Sequence, residues 1–365
     1  MTKNQSLRVV WDNNEVGKIA LNKAGLCAFE YSKPYLESGI SISPFELPLK
    51  EGVFQAFPSP FFGNFGVFDD SLPDGWGLLV QDRFLLKNGI SPDSLSMLDR
   101  LAMVGTTGRG ALEFYPDESI TSNTNYADLS KLAKEAEIIY SDDSYLGSIE
   151  EFQKRGGSPG GARPKIMIID RDNQEWLVKF RALMDPQNIG ETEYKYSLLA
   201  KECGVEMPET RLFDGKYFGV KRFDRVNGKK LHTISMAALL RADYRLPSID
   251  YYHIFKAASI LSHDVKELWK IYRLMVFNFL IGNKDDHAKN FSFIYREDGW
   301  HFAPAYDLLP SHGIRGYHTT SINDSITPTK EDLISVAAKA GLSTKEADEQ
   351  FDQINHIIAS HKQDF

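Results

Sequence analysis

The sequence predicts an α+β protein in three sections: a β-rich N-terminal subdomain over 1–125, a small mixed α/β lobe over 126–234, and a mainly helical lobe over 235–365. Three observations lead there. Short apolar runs alternate with Gly, Pro and Asn clusters in the front part, the pattern of short strands and turns. After Gly156 the order becomes glycine-rich loop, strand, strand, helix, strand. From Ser235 onward helical spacing of apolar residues dominates. The length of 365 residues, 42% apolar and 25% charged, supplies more than one core at roughly 150 residues per domain, and excludes a collagenous, low-complexity or disordered chain.

Charge and cysteine usage narrow the function classes. The 42 Lys and Arg against 50 Asp and Glu leave a net charge of -8, which argues against holding nucleic acid by a broad basic face. Cys27 and Cys203 stand far apart without CxxC or Cys/His spacing, as expected in a reducing compartment without a disulfide framework. The start, MTKNQSLRVVWDNNE, turns polar before an apolar region of signal-peptide length could form, so a cytoplasmic protein is expected. The most apolar stretch, Leu268 to Gly282, is interrupted by Lys270, Arg273 and Asn278 and falls short of the ~20 residues of a membrane span; it reads as a buried core helix.

In chain order, Leu7 to Trp11 and Lys18 to Leu21 read as strands, and the aromatic stretch Phe54 to Phe68 as an irregular packed region. Asp74-Gly75 closes a turn before a helix over Leu78 to Leu86, and Met97 to Tyr115 is a glycine-bearing segment ending in the strand-like ALEFY. The polar run Pro116 to Tyr126 reads as a linker, followed by a short helix over Lys131 to Tyr140 and the acidic break Ser141 to Ser144. The loop GGSPGGARPK precedes strands over Ile166 to Ile169 and Trp176 to Phe180. A helix begins near Gly190 and stops at Gly204, and a strand over Tyr217 to Lys221 leads into RFDR. Beyond the buried helix lie the polar loop NKDDHAKNFS, strands over Phe291 to Tyr295 and Trp300 to Phe302, and PAYDLLPS.

Three features point to phosphoryl chemistry. The loop around Gly160, Gly161, Ala162 and Arg163 can bring backbone N–H groups close to phosphate oxygens, although it is no Walker A loop: Lys165 has no following Ser or Thr. Lys179 stands in the apolar strand WLVKF, on the face opposite Trp176 and Val178, where a nucleotide kinase needs a cation; Glu191 or Glu193 on the next helix could orient it. The segment Asp285-x4-Asn290 has the spacing of a kinase catalytic loop, a carboxylate to align the attacking hydroxyl and an amide oxygen to ligate Mg²⁺, with Asp307 following at the end of a hairpin as a second metal ligand. His287 has no HExxH or paired-His company and reads as a non-ligand.

The segments SPGGARPK, WLVKF, ETEY, SLLAKECGVEMPET, RFDR, NKDDHAKNFSF and PAYDLLPS, with FDDSLPDGWG and GRGALEFYPD in front, together resemble the HipA family of serine/threonine kinases, toxins of type II toxin-antitoxin modules. The resemblance implies a two-lobed protein-kinase-like fold, dependence on ATP and Mg²⁺, a protein substrate that the family suggests is a component of translation, and control by a separate antitoxin that itself binds DNA, with no membrane partner. Matched by position, Asp285 is similar to the catalytic aspartate, Asn290 and Asp307 to the metal-binding pair, Lys179 to the ATP-anchoring lysine and Glu193 to the helix glutamate. Ser158 and Lys165 bracket the family's phosphate loop, and Ser158 matches its autophosphorylation site. Arg163 stands where the family usually has Gln, and Pro159 directly follows the serine. Two other readings remain open: a phosphoinositide-like or small-molecule kinase, and a catalytically silent kinase fold serving as a scaffold.

Overall fold

Alternation turns Leu7 and Val9 of SLRVVW and Ile19 of NEVGKIAL inward, with Val16 buried at a register shift between the strands, and the computed structural model forms them into β1 (Ser6–Trp11) and β2 (Asn14–Leu21). Residues 3–120, 127–156, 160–313 and 315–363 are described. They divide into two units, Met1–Glu191 with Thr210–His232, and Thr192–Glu209 with Thr233–Phe365.

The first unit continues with β3 (Cys27–Tyr31), α1 (Lys33–Ser38), β4 (Val53–Gln55), α2 (Gly66–Asp69), α3 (Gly75–Lys87), α4 (Met97–Val104) and β5 (Glu113–Tyr115). The five strands make one antiparallel sheet ordered β4-β3-β2-β1-β5. Helix α4 replaces part of what the sequence suggests is a plain glycine-bearing segment. Ser96 and Asp99 form a reciprocal capping box at its start, which satisfies two N–H groups before the apolar face of Leu98, Leu101 and Ala102 is buried.

Next come α5 (Leu129–Ser141), α6 (Ile149–Gly156), β6 (Lys165–Ile169), β7 (Glu175–Lys179), α7 (Ile189–Glu202), which runs into the second unit, β8 (Thr210–Phe213), β9 (Tyr217–Lys221), and the small hairpin β10 (Arg225–Val226) and β11 (Lys229–Lys230). Strands β6-β7-β9-β8 form an antiparallel sheet. The sequence reading separates 1–125 from 126–234; in the structure the first unit takes in residues of both sections, while Thr192–Glu209 belongs to the second unit. The physical reason is a shared core: Trp76 and Val80 of α3 pack with Leu132 and Ile139 of α5, Phe152 of α6, and Ile166, Trp176, Val178 and Phe180 of the second sheet. The boundary itself falls within residues 121–126, outside the described residues.

A buried ion cluster joins the same two sections. Asp224 of the RFDR turn accepts from Arg222 (2.8 Å), Arg225 (3.0 Å) and the Gly110 N–H (2.8 Å), while Arg225 also donates to the Gly110 and Gly108 carbonyls at 2.8 Å each. Burial works against the Asp224 charge, but the two guanidinium groups outweigh it and hold the carboxyl well below the usual range. Burial and the neighbouring Arg222 push Arg225 down to about 10.

The second unit holds β12 (Thr233–Ser235), α8 (Met236–Leu240), β13 (Ile249–Asp250), α9 (Tyr251–Leu261), α10 (Val265–Ile281), β14 (Ser292–Arg296), β15 (Gly299–Phe302), β16 (Thr320–Ser321), α11 (Lys330–Lys339) and α12 (Thr344–Ser360). The expected buried helix is α10. Asp264 caps its start, and Gly282, left-handed at φ 71, ends it with its N–H on the Asn278 and Phe279 carbonyls, so the polar loop departs abruptly. Its buried Glu267 accepts from the Phe302 N–H at 2.7 Å and pairs with Lys270 at 2.9 Å, tying the β14–β15 hairpin to the helix. Among the described residues no helix is long and apolar enough to cross a membrane.

Two stability predictions follow from the buried polar groups. Asp224→Ala removes the carboxylate that Arg222 and Arg225 share and leaves only Glu175 to offset two largely buried guanidinium groups, and chemical denaturation should show a loss of about 3 kcal/mol. His232 is buried with its Nε2 donating to the Ile42 carbonyl at 2.8 Å and its ring 5.1 Å from Trp11. Burial pushes its pKa from 6.5 down to about 4. The unfolded chain therefore binds a proton that the folded chain refuses between those values, so stability falls as pH drops from about 6.5 to about 4, by roughly 3 kcal/mol in total. Urea melts across that window should show a shallower pH dependence for His232→Gln.

Candidate functional site

Each unit carries one of the two groups of residues singled out from the sequence. In the first unit, the antiparallel register sets Lys165 of β6 directly opposite Lys179 of β7, so both ammonium stems leave the same face while Ile166 and Val178 face the core. Like charges in directly opposite positions disfavour each other unless an anion joins them. Lys165 is 3% exposed and donates through Nζ to the Gly160 carbonyl. Lys179 Nζ lies 5.5 Å from the centroid of the Phe218 ring.

The glycine loop is held from several sides. The Gly161 N–H donates to Asp74 Oδ1, its carbonyl accepts from the Trp76 N–H at 3.1 Å, and the Ala162 carbonyl accepts from the Tyr140 hydroxyl. Arg163 places Nε and Nη2 on the two oxygens of Asp185, at 2.8 and 2.9 Å. Burial raises the cost of the Asp185 charge, but the Arg163 fork, the Ala182 N–H and Arg181 overcome it and keep the carboxyl below the usual range. Ser158 lies outside the described residues.

Glu193 on α7 is buried and belongs to the second unit, as do Asp285, Asn290 and Asp307. Asp285 and Asp286 are neighbours with opposite environments. Asp285 is exposed. Asp286 is 1% exposed and accepts from Tyr251 Oη (3.2 Å), His318 Nδ1 (3.1 Å), and the N–H groups of Thr319 (3.1 Å) and Thr320 (3.2 Å). The same loop thus buries and anchors the Asp286 carboxylate while its neighbour Asp285 stays exposed.

Asn290 donates from Nδ2 to the Asp285 carbonyl at 2.7 Å, which fixes the amide plane and directs its Oδ1 away from that contact. Asn283 donates to the Asp307 carbonyl at 3.3 Å and to Asn278 Oδ1 at 3.0 Å, and Asn278 in turn donates to Tyr251 Oη at 3.0 Å. One line of hydrogen bonds thus runs from the Asp307 backbone through two buried amides and a phenol to Asp286. Burial first, and then the Asp286 charge, push the Tyr251 phenol well above its ordinary pKa, so it remains a donor. Asp307 is exposed and sits at φ 57, a left-handed conformation that Asp tolerates better than most side chains and that recurs at ligand-binding positions.

The sequence reading missed Asp286, Asn283 and Tyr251, and treated Asn278 only as an interruption of an apolar run. The signal for Asp286 was available in part, in the two adjacent aspartates that directly follow a buried helix.

An exposed Asp-x4-Asn loop followed by an exposed aspartate, in a mainly helical unit, together with a paired-lysine strand and glycine loop on an antiparallel sheet, defines the class of two-lobed kinase-like proteins. Comparison with known proteins makes the family plain. The model of the HipA-like C-terminal domain matches residues 157–361 and that of the HipA N-terminal domain matches 7–115; the chain belongs to the HipA family of kinases. It is 26% identical over 355 residues, 88% of this chain and 82% of the relative, to a Sinorhizobium fredii protein named "Putative kinase Y4dM". It is 24% identical over 332 residues, 80% and 72% of the two chains, to the serine/threonine-protein kinase toxin HipA of Shewanella oneidensis. A solved complex of HipA, HipB and operator DNA from that organism contains a chain of the same fold, with a TM-score of 0.71 and 19% identity over 97% of this chain and 90% of that one.

The two neighbouring aspartates should separate in a stability assay. Asp286→Ala strands four buried donors and should lose at least about 3 kcal/mol, whereas Asp285→Asn should stay within about 0.5 kcal/mol of wild type in the same denaturation experiment.

Proposed function

We propose that this protein is an ATP-dependent serine/threonine protein kinase of the HipA toxin type. The observation that carries the reading is the exposed carboxylate of Asp285, in a loop anchored by the buried Asp286 and followed by Asn290 and Asp307. In this reading Asp285 accepts the hydrogen bond of the acceptor hydroxyl and aligns it for in-line attack on the γ-phosphate. Lys179 and Lys165 hold phosphate oxygens, which relieves their mutual repulsion. The amide oxygen of Asn290 and the carboxylate of Asp307 suit Mg²⁺, a hard cation that in phosphoryl transfer takes only one or two protein oxygens beside phosphates and water. When bound, Mg²⁺ supplies neutralisation of the charge on the transferring phosphoryl group.

The relative solved with HipB and operator DNA supports a separate DNA-binding antitoxin as partner here too, and the net charge of -8 fits DNA being reached through that partner. Ser158 remains the proposed autophosphorylation site, to be read by mass spectrometry on protein incubated with ATP and Mg²⁺.

Radiolabelled phosphotransfer tests the assignment. Asp285→Asn should lower turnover by about 10²–10⁴-fold, Asp307→Asn should do so with a rise in the Mg²⁺ requirement, and Lys179→Ala should weaken ATP binding more than Glu193→Ala does. Near-wild-type turnover in Asp285→Asn would reject the active site. Phosphate appearing on a small molecule but on no protein would replace the protein-kinase reading with that of a small-molecule kinase.

A further inference from the structure

Asp74 stands directly before α3, in the extended conformation of an N-cap residue (φ -125, ψ 176), yet its side chain makes no capping hydrogen bond to its own helix. It reaches instead to the glycine loop and takes the Gly161 N–H on Oδ1. The neighbouring backbone is shaped for this contact. The Trp76 N–H holds the Gly161 carbonyl at 3.1 Å, fixing the orientation of the loop against the start of α3. Gly75 has φ +43, and a Cβ there would lie 2.6 Å from the Gly161 oxygen, so no other residue permits the approach. Trp76 is fully buried, stacked 5.5 Å from Tyr140, whose hydroxyl holds the Ala162 carbonyl, so the docking platform is rigid.

We propose that Asp74 is an autoinhibitory residue, a carboxylate of the N-terminal subdomain that occupies the phosphate-binding amide of the glycine loop and must be displaced before a nucleoside triphosphate is held there. This inference rests on the loop being the nucleotide site proposed above. A carboxylate and a phosphate oxygen compete for the same donor hydrogen, because one N–H makes one strong charge-assisted bond. A carboxylate left beside bound phosphates would also repel them.

The structure provides Asp74 with another place to go. When the loop leaves, the Trp76 N–H loses the Gly161 carbonyl and becomes an unsatisfied donor in the first turn of α3. The N-cap position is where an aspartate side chain accepts from the N–H groups of the second and third helical residues, here Trp76 and Gly77. The swap exchanges one carboxylate hydrogen bond for another, so the two arrangements differ little in their hydrogen bonding. Lys165, whose Nζ donates to the Gly160 carbonyl in the closed arrangement, is released for phosphate by the same movement. The proposal thereby assigns the N-terminal subdomain a regulatory role: whatever holds the loop against the fixed start of α3 lowers affinity for the nucleotide, and whatever draws the loop away raises affinity.

Calorimetric titration of the full chain with a non-hydrolysable ATP analogue and Mg²⁺ tests this. Asp74→Asn removes the charge, and Asp74→Ser retains a good N-cap while losing the reach to Gly161, so a melting temperature matching wild type shows that α3 and the fold are kept. Both variants should bind the analogue roughly tenfold tighter than wild type. Unchanged or weaker binding in both folded variants overturns the proposal, the weaker outcome making Asp74 a residue that positions the loop for nucleotide. Lys179→Ala, titrated alongside, separates the two levels. A loss of binding there with no gain in the Asp74 variants removes the autoinhibition alone, and unchanged binding in all three removes the nucleotide-site reading with it.

Discussion

The carboxylate of Asp286 is the contact on which the candidate catalytic geometry depends. A buried carboxylate is tolerated only when its lone pairs are filled, and four donors from two separate segments, Tyr251 on α9 and His318 to Thr320 near β16, fill them. The cost of leaving any of these groups unpaired makes the arrangement all-or-none. The neighbouring Asp285, in the same loop, is exposed instead. The anchored Asp286 thus fixes the loop that carries the residue expected to do the chemistry.

The same economy recurs around Asn278 and Asn283. Buried amides at the end of α10 and just past its Gly282 cap would destabilise the fold unless paired, and here they bond to each other, to Tyr251 and to the Asp307 carbonyl. The loop after α10 and the segment after β15, far apart in sequence, are held in one register by two side-chain amides. Asp307 keeps a left-handed backbone in that setting, and the surrounding hydrogen bonds offset the strain.

In the first unit the organising constraint is burial of large aromatic rings. Trp76 packs edge-to-face on Phe152 at 5.3 Å and stacks on Tyr140 at 5.5 Å, so the start of α3 cannot move independently of α5 and α6. The Asp224 cluster pins the Gly108–Gly110 turn to the end of β9 by a second route. Two sections that read as separate in composition therefore form one mechanical body, and the glycine loop is fastened to a helix contributed by the N-terminal one.

Much of this was legible from residue order alone. The α+β class, the strands β1, β2, β6, β7 and β9, the helices α3, α5, α7 and α10, and the candidate residues Lys179, Asp285, Asn290 and Asp307 could be read because each depends on local signals: period-2 or helical spacing, a stop glycine, a fixed D-x4-N interval. Helices α4 and α6 and strand β8 went unread, since α6 is a short charged segment whose Ile149 and Phe152 become informative only beside Trp76, and α4 shares its segment with several glycines. The sequence by itself named the side chains expected to perform phosphoryl chemistry. Only the tertiary structure decided which aspartate of the 285–286 pair faces outward, that Arg163 is engaged by Asp185, and that Asp74 rests on Gly161, because each is a hydrogen bond between residues whose separation in sequence carries no local trace.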